Sequence, residues 1–132
     1  MLLQTNSYIV PKEKRSDHSR LLARFRQTLL RLGCDSFEVY EQVGSSWQGD
    51  ATGRYVQLMR FRDKKQQQMV QEAERTDPAA QQLIREFCEL INFPYQQQQG
   101  LFVVLNSEAL GSAINSIALG LARQIFGMTP QS

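Results

Sequence analysis

Apolar and polar positions change period several times along the chain. Tyr8-Ile9-Val10 ends a short extended run, which Pro11 stops. From Ser16 the spacing becomes helical: Leu21, Leu22, Phe25, Leu29 and Leu32 share one arc, with Arg20, Arg24 and Arg31 opposite. Ser16 is the expected N-cap, Asp17 suits the positive helix end, and Gly33 closes the helix. Ser36 to Val43 alternates as a strand does, with Phe37, Val39 and Val43 on one face and Glu38, Tyr40 and Gln42 on the other. A turn-rich loop, Gly44 to Gly53, separates it from a second strand, Arg54 to Arg62. There Val56 and Leu58 take one face, and Tyr55, Gln57, Met59 and Phe61 the other. The two strands are expected to form a hairpin.

Asp63 opens a helix to about Arg75 with Met69, Val70 and Ala73 inward. Asp77 as N-cap and Pro78 at the first helical position restart it, and Ala80, Leu83, Ile84, Phe87, Cys88 and Ile91 form a buried face. Asn92-Phe93-Pro94 ends this helix, and Gly100 to Leu105 is an apolar strand. Ser107 then caps an expected last helix from Glu108 to about Phe126, striped with Leu110, Ile114, Ile117, Leu121 and Ile125. It has three candidate uses: packing on its own domain, contact with a partner helix, or lying on a membrane surface. The lack of a Lys/Arg cluster speaks against the third.

The order strand, helix, strand, strand, helix, strand predicts an α+β fold. It is the ferredoxin-like split βαβ pattern with an antiparallel four-stranded sheet and helices on one face. The chain divides into a domain at 1–106 and a C-terminal amphipathic helix and tail at 107–132. The uncovered sheet face is expected to hold Glu38, Tyr40, Gln42, Tyr55, Gln57, Met59 and Phe61. A face of that mixed polarity predicts a homodimer closed around a half-polar cavity, a dimeric α+β barrel.

Bulk composition narrows the function classes. The 132 residues are 42% hydrophobic and suit one compact domain. One His and two Cys are too few for most protein-built zinc sites, so no metal is expected. No run of about 20 apolar residues exists, so no membrane span is expected. The N-terminus lacks a secretory signal pattern, and Cys34 and Cys88 read as reduced thiols, which together suggest a cytoplasmic protein. Residues 1–66 carry 12 Lys and Arg against 7 Asp and Glu, whereas 67–132 carry 3 against 6. The basic stretch from Lys12 to Arg31 has no aromatics interleaved on its basic face, so it reads as a solvated helix face and not a nucleic-acid surface. The clusters Gln66-Gln67-Gln68 and Gln96 to Gln99 read as polar loop or helix surface.

The candidate chemistry is sparse. His18 titrates near neutral pH unaided, which makes it either a general base at a cavity mouth or an exposed first-turn residue beside Asp17. Glu38 and Tyr40 are candidate catalytic groups, Glu38 as a buried base with a raised pKa. Gln42, Tyr55, Gln57, Met59 and Phe61 are candidate ligand contacts: Tyr and Gln orient a phenol or quinone oxygen, while Met59 and Phe61 cover its rings. The same group also suits the polar part of a dimer interface. Trp47, in the hairpin loop, reads as a cavity lid or a dimer anchor. The glycine spacing of Gly44 to Ala51 lacks the Lys and Ser/Thr of a phosphate-binding loop.

Three segments carry a resemblance: Phe37-Glu38-Val39-Tyr40-Glu41-Gln42-Val43, Tyr55-Val56-Gln57-Leu58-Met59-Arg60-Phe61 and Ile91-Asn92-Phe93-Pro94-Tyr95. With the element order over residues 7–105, the chain resembles the dimeric α+β barrel superfamily, and within it the antibiotic-biosynthesis-monooxygenase-type domains. The resemblance implies sheet-to-sheet pairing into a barrel. Some members oxidise polycyclic aromatic compounds with oxygen and without metal or flavin. The haem-degrading members place a His on the second helical region, whereas the only histidine here is in the first helix. Two functions follow as expectations. One is a cofactor-free, monooxygenase-like enzyme acting on a small aromatic compound. The other is a non-catalytic ligand-binding or protein-interaction module.

Overall fold

The computed structural model describes residues 1–44 and 51–109. Trp47 and nearly all of the expected last helix lie outside the described residues. In chain order the elements are β1 (Leu2–Ile9), a 3-10 turn (Lys12–Lys14), α1 (Arg15–Arg31), β2 (Ser36–Val43), β3 (Ala51–Phe61), α2 (Lys64–Thr76), α3 (Pro78–Ile91), α4 (Phe93–Gln98) and β4 (Val103–Glu108). The four strands make one antiparallel sheet in the order β2-β3-β1-β4. That is the expected ferredoxin-like α+β arrangement, with the helices on one face. Among the described residues no helix is long and apolar enough to cross a membrane.

Local chemistry accounts for the helix boundaries. Asp63 accepts a hydrogen bond from the Gln66 amide at 2.8 Å, and Asp77 accepts from Ala80 at 2.9 Å, so both act as N-caps. At the end of α1, Cys34 N–H donates to Leu29 O and Gly33 N–H to Leu30 O. This closure requires Gly33 at φ 110°, a conformation that a side chain disfavours. Three boundaries depart from expectation. The 3-10 turn runs into α1, so Ser16 lies inside the helix and the N-cap is Lys14, without a side-chain bond. Asn92 adopts a left-handed φ of 54° and lets the chain restart as α4. Ser107 and Glu108 continue β4 against Leu3 and Leu2, so no helix begins there.

Register decides which residues meet the helices, and here one expectation is overturned. Phe37 pairs with Met59 and Val39 with Gln57, while Glu38 pairs with Leu58 and Tyr40 with Val56. Directly paired residues share a face. Tyr55, Gln57, Met59 and Phe61 therefore lie on the helix side with Phe37 and Val39. Glu38 and Tyr40 lie on the open side with Val56 and Leu58. Taking Val56 and Leu58 as the core face shifted the second strand by one parity, which reverses every side chain along it.

The same register splits the core in two. β1 presents Leu2, Gln4, Asn6 and Tyr8 to the helices, opposite Phe61, Met59, Gln57 and Tyr55. Leu2 joins Leu29, Phe37, Met59, Phe61 and Val70 at one end. Tyr8 joins Val10, Leu21, Leu83, Phe87 and Ile91 at the other. The three amide residues, Gln4, Asn6 and Gln57, stand between them. Some glutamines expected on the surface are internal ties: Gln66, Gln67 and Gln96 are buried. Gln96 accepts from Ile9 N–H at 2.9 Å and donates to Ile9 O at 2.7 Å, fixing α4 to the end of β1. Met69, expected inward, is exposed.

Phe87 anchors the second cluster, with ring centroids 4.8 Å from Tyr8 and 5.8 Å from Phe25. Phe87→Ala is expected to cost about 3–5 kcal/mol in urea unfolding, the range for emptying a buried aromatic site. A loss under about 1 kcal/mol would show that the site collapses freely.

Candidate functional site: a cavity between sheet and helices

The gap between the two core clusters is a cavity of about 430 Å³, a size suited to a small ligand. Its floor is the sheet, with Gln4 and Asn6 from β1 and Gln57, Met59 and Phe61 from β3. Phe25 from α1, Phe87 from α3, and Phe93 and Phe102 from the following segments supply aromatic surface. Glu74, from α2, is the one carboxyl group among the lining residues. It lies one helical turn beyond Val70 and two beyond Gln66, on the stripe that turns toward the sheet. Burial pushes its pKa from an ordinary 4.5 up to about 6. Among the described residues its carboxylate has no ion-pair partner.

A continuous row of hydrogen-bonded side chains runs beneath the cavity. Gln67 Nε2 donates to Gln4 Oε1 at 2.9 Å and to Asn106 Oδ1 at 3.0 Å. Gln4 Nε2 donates to Asn6 Oδ1 at 3.2 Å, and Asn6 Nδ2 to Gln57 Oε1 at 3.4 Å. Gln57 Nε2 donates to the Tyr8 hydroxyl at 2.9 Å, which meets His18 Nε2 at 2.6 Å. The row lets three amides sit between apolar clusters, because each satisfies its neighbour where burial alone would be costly.

His18 is only 1% exposed, behind the cavity wall and not at its mouth. Its ring stands edge-on to Tyr55, centroids 4.6 Å apart. Desolvation lowers its pKa to about 4, so the imidazole is neutral at neutral pH. Burial also raises the pKa of Tyr8.

The candidate site residues thus separate into three groups. Gln57, Met59 and Phe61 line the cavity. Tyr55 and His18 stand behind it, packed on Tyr8. Glu38, Tyr40 and Gln42 are elsewhere. Tyr40 donates to Glu38, Arg60 Nε lies 3.7 Å from Glu38, and the Gln42 carbonyl accepts from Thr52 at 2.7 Å. Glu38 keeps 40% of its side chain exposed, so it is not the buried base expected. Its bond to Tyr40 raises that phenol's pKa. Gln4, Asn6, Tyr8 and Glu74 were not singled out from the sequence. Two signals could have found them: the period-two run Leu2, Gln4, Asn6, Tyr8, and the helical spacing Gln66, Val70, Glu74.

The carboxyl of Glu74 yields a signed pH dependence. Its raised pKa means that folding favours the protonated form. This contribution is fully present below pH 4.5 and is lost as pH rises through about 6. Glu74→Gln keeps the shape and removes the charge. It is expected to gain about 1–2 kcal/mol over the wild type at pH 8 and nothing at pH 4.5, measured by urea unfolding. His18, common to both proteins, cancels in the difference. An equal effect at both pH values would place the carboxyl in water.

No family model matches the sequence, and no curated protein matches it either. Solved structures do match in fold. An antibiotic-biosynthesis-monooxygenase-type protein of Deinococcus radiodurans superposes with TM-score 0.55 at 14% identity, covering 83% of this chain and 92% of that one. A NIPSNAP domain protein of Burkholderia xenovorans gives 0.59 at 10% identity, over 85% and 97% of the two chains. An ethyl tert-butyl ether d (ethd) family protein of Bacillus halodurans gives 0.53 at 13%, over 83% and 100%. The chain therefore has the antibiotic-biosynthesis-monooxygenase-like fold, the one that its strand order and segment character implied.

Proposed function

We propose that this protein is a cofactor-free, monooxygenase-like enzyme that takes a small aromatic compound, a phenol, into the cavity between sheet and helices. The observation that carries the reading is the composition of that cavity: aromatic walls, an amide floor and a single carboxyl with a raised pKa. Flat rings fit against Phe25, Phe87 and Phe93. Gln57 and Asn6 orient a ligand oxygen, and Glu74 accepts the phenolic proton. The resulting anion is electron-rich enough to give electrons to dioxygen. A carbon–oxygen bond forms on the ring and the oxygen–oxygen bond breaks. One oxygen stays as the second carbonyl of a quinone. The other leaves as water, with the hydrogens of the O–H and the ring C–H. The substrate itself is the reductant.

The open sheet face supports the homodimer reading. Tyr40 is 53% exposed and Leu105 59% exposed, and both belong to that face by register. A second copy of the sheet would remove this surface from water.

1-Naphthol is a suitable probe. The full chain is expected to bind it, consume oxygen and form a quinone, with water as co-product. Glu74→Gln is expected to lose at least about 100-fold in turnover, the usual contribution of a general base, while binding changes little. Binding without oxygen uptake would overturn the enzyme reading in favour of a non-catalytic binding module. No binding of any aromatic probe would remove both. Sedimentation at micromolar concentration is expected to give twice 15.2 kDa, and a monomer there would refute the dimer.

A further inference from the structure

The row beneath the cavity has a direction. Gln4, Asn6 and Gln57 each donate toward Tyr8 and accept from the side of Gln67. Two directions would satisfy the same six groups from Gln67 to His18, because reversing every amide and the Tyr8 hydroxyl gives an equally complete row. Something at an end must choose. Asn106 is itself an amide and accommodates either sense. His18 is not so free. Tyr8 is fully buried, and its oxygen already accepts from Gln57. Its own proton therefore needs an acceptor, and His18 Nε2 at 2.6 Å is the one in place. In this sense of the row Nε2 is the acceptor, which goes with the neutral tautomer protonated on Nδ1.

We infer that His18 and Tyr8 are positioning residues of the cavity: acting through Gln57, they fix which way the floor amides Gln57, Asn6 and Gln4 point, and so which ligand oxygens the floor accepts. The inference rests on the reading of the cavity as a ligand site. Each of these three amides uses one N–H within the row and keeps the other outside it. Reversing the row exchanges the places of the spare N–H and the carbonyl on every amide. A ligand matched to one sense is then mismatched to the other. Neither His18 nor Tyr8 lines the cavity, so their polar effect reaches a ligand through the row, whereas a change of packing through Phe87 would act on any ligand of the same shape.

Two measurements on the full chain test this. The first is the long-range proton–nitrogen spectrum of His18 at pH 7, expected to show Nδ1 protonated and Nε2 as acceptor. A proton on Nε2 would overturn the inference. The second compares two probes of similar shape, 1-tetralone, which carries a carbonyl, and tetralin, which does not. His18→Leu removes the acceptor, so the Tyr8 hydroxyl turns to Gln57 and reverses the row. Tetralone is expected to lose about tenfold relative to tetralin, the scale of one hydrogen bond. His18→Gln restores an acceptor and should keep the wild-type ratio within about threefold. An unchanged ratio in His18→Leu would overturn the inference. Should that variant fail to fold, Tyr8→Phe releases Gln57 with almost no change in volume and is expected to give the same loss. If neither probe binds the wild type, the cavity reading falls. The His18 tautomer and the displacement of the Gln57 side-chain amide signals in Tyr8→Phe then still decide whether this pair fixes the row.

Discussion

The pairing of β1 with β3 is the constraint on which the rest of the structure depends. These are the two central strands of the sheet, and their register places Leu2, Gln4, Asn6 and Tyr8 against Phe61, Met59, Gln57 and Tyr55. Each pair sits under the helices, and each sets one part of the molecule. The Leu2 end nucleates one apolar cluster and the Tyr8 end the other. The two middle pairs make the floor between them. A slip of β1 by one residue against β3 would send Leu2, Gln4, Asn6 and Tyr8 to the open face and bring Leu3, Thr5 and Ser7 inward. Both clusters and the cavity would be lost together.

Placing three amides, Gln57 buried and Gln4 and Asn6 half-buried, in the middle of a core is a liability unless each finds partners. The row from Gln67 to His18 supplies them, and it also explains why a gap persists there. An apolar helix face packed directly on Gln4, Asn6 and Gln57 would cover their spare N–H groups without satisfying them. The helices instead pack where the sheet is apolar. Phe87 of α3 meets Tyr8, and Val70 of α2 belongs to the Leu2 cluster. The polar floor and the cavity above it are thus two consequences of the same four residues on β1.

The fold was legible in the sequence because period and punctuation agreed. Asp63, Asp77 with Pro78, and Gly33 marked helix ends that the structure bears out through specific backbone bonds. The buried face of α3 followed from spacing alone. The site was less legible, for an identifiable reason. Its floor is polar on a face that must also be buried, so sorting strand residues by hydrophobicity assigned β3 to the wrong parity. Val56 and Leu58 looked like the core face, yet Gln57 is buried and Leu58 is not. Gln57, Met59 and Phe61 were recognised as a group that could hold a ligand, but were placed on the opposite side of the sheet. Glu74 was invisible for a related reason: nothing in a Gln- and Glu-rich helix distinguishes a carboxylate over a cavity from one in water, except its step from Val70.

Two of the titratable groups at the site, His18 and Glu74, respond to burial in opposite senses. Burial lowers the imidazole of His18 and raises the carboxyl of Glu74, because in both it disfavours the charged form. At neutral pH the imidazole is neutral and serves as a hydrogen-bond acceptor, a role that an imidazolium could not fill. Glu74, with its pKa near 6, is mostly ionised at the same pH and has no cation beside it in the cavity. The site is thus asymmetric: a fixed, neutral anchor behind the floor and a proton acceptor on the opposite wall. A ligand entering between them would meet oriented amides on one side and the one mobile charge on the other. In the enzyme reading proposed above, that division puts the proton transfer on the helix wall and leaves the sheet to orient the ligand.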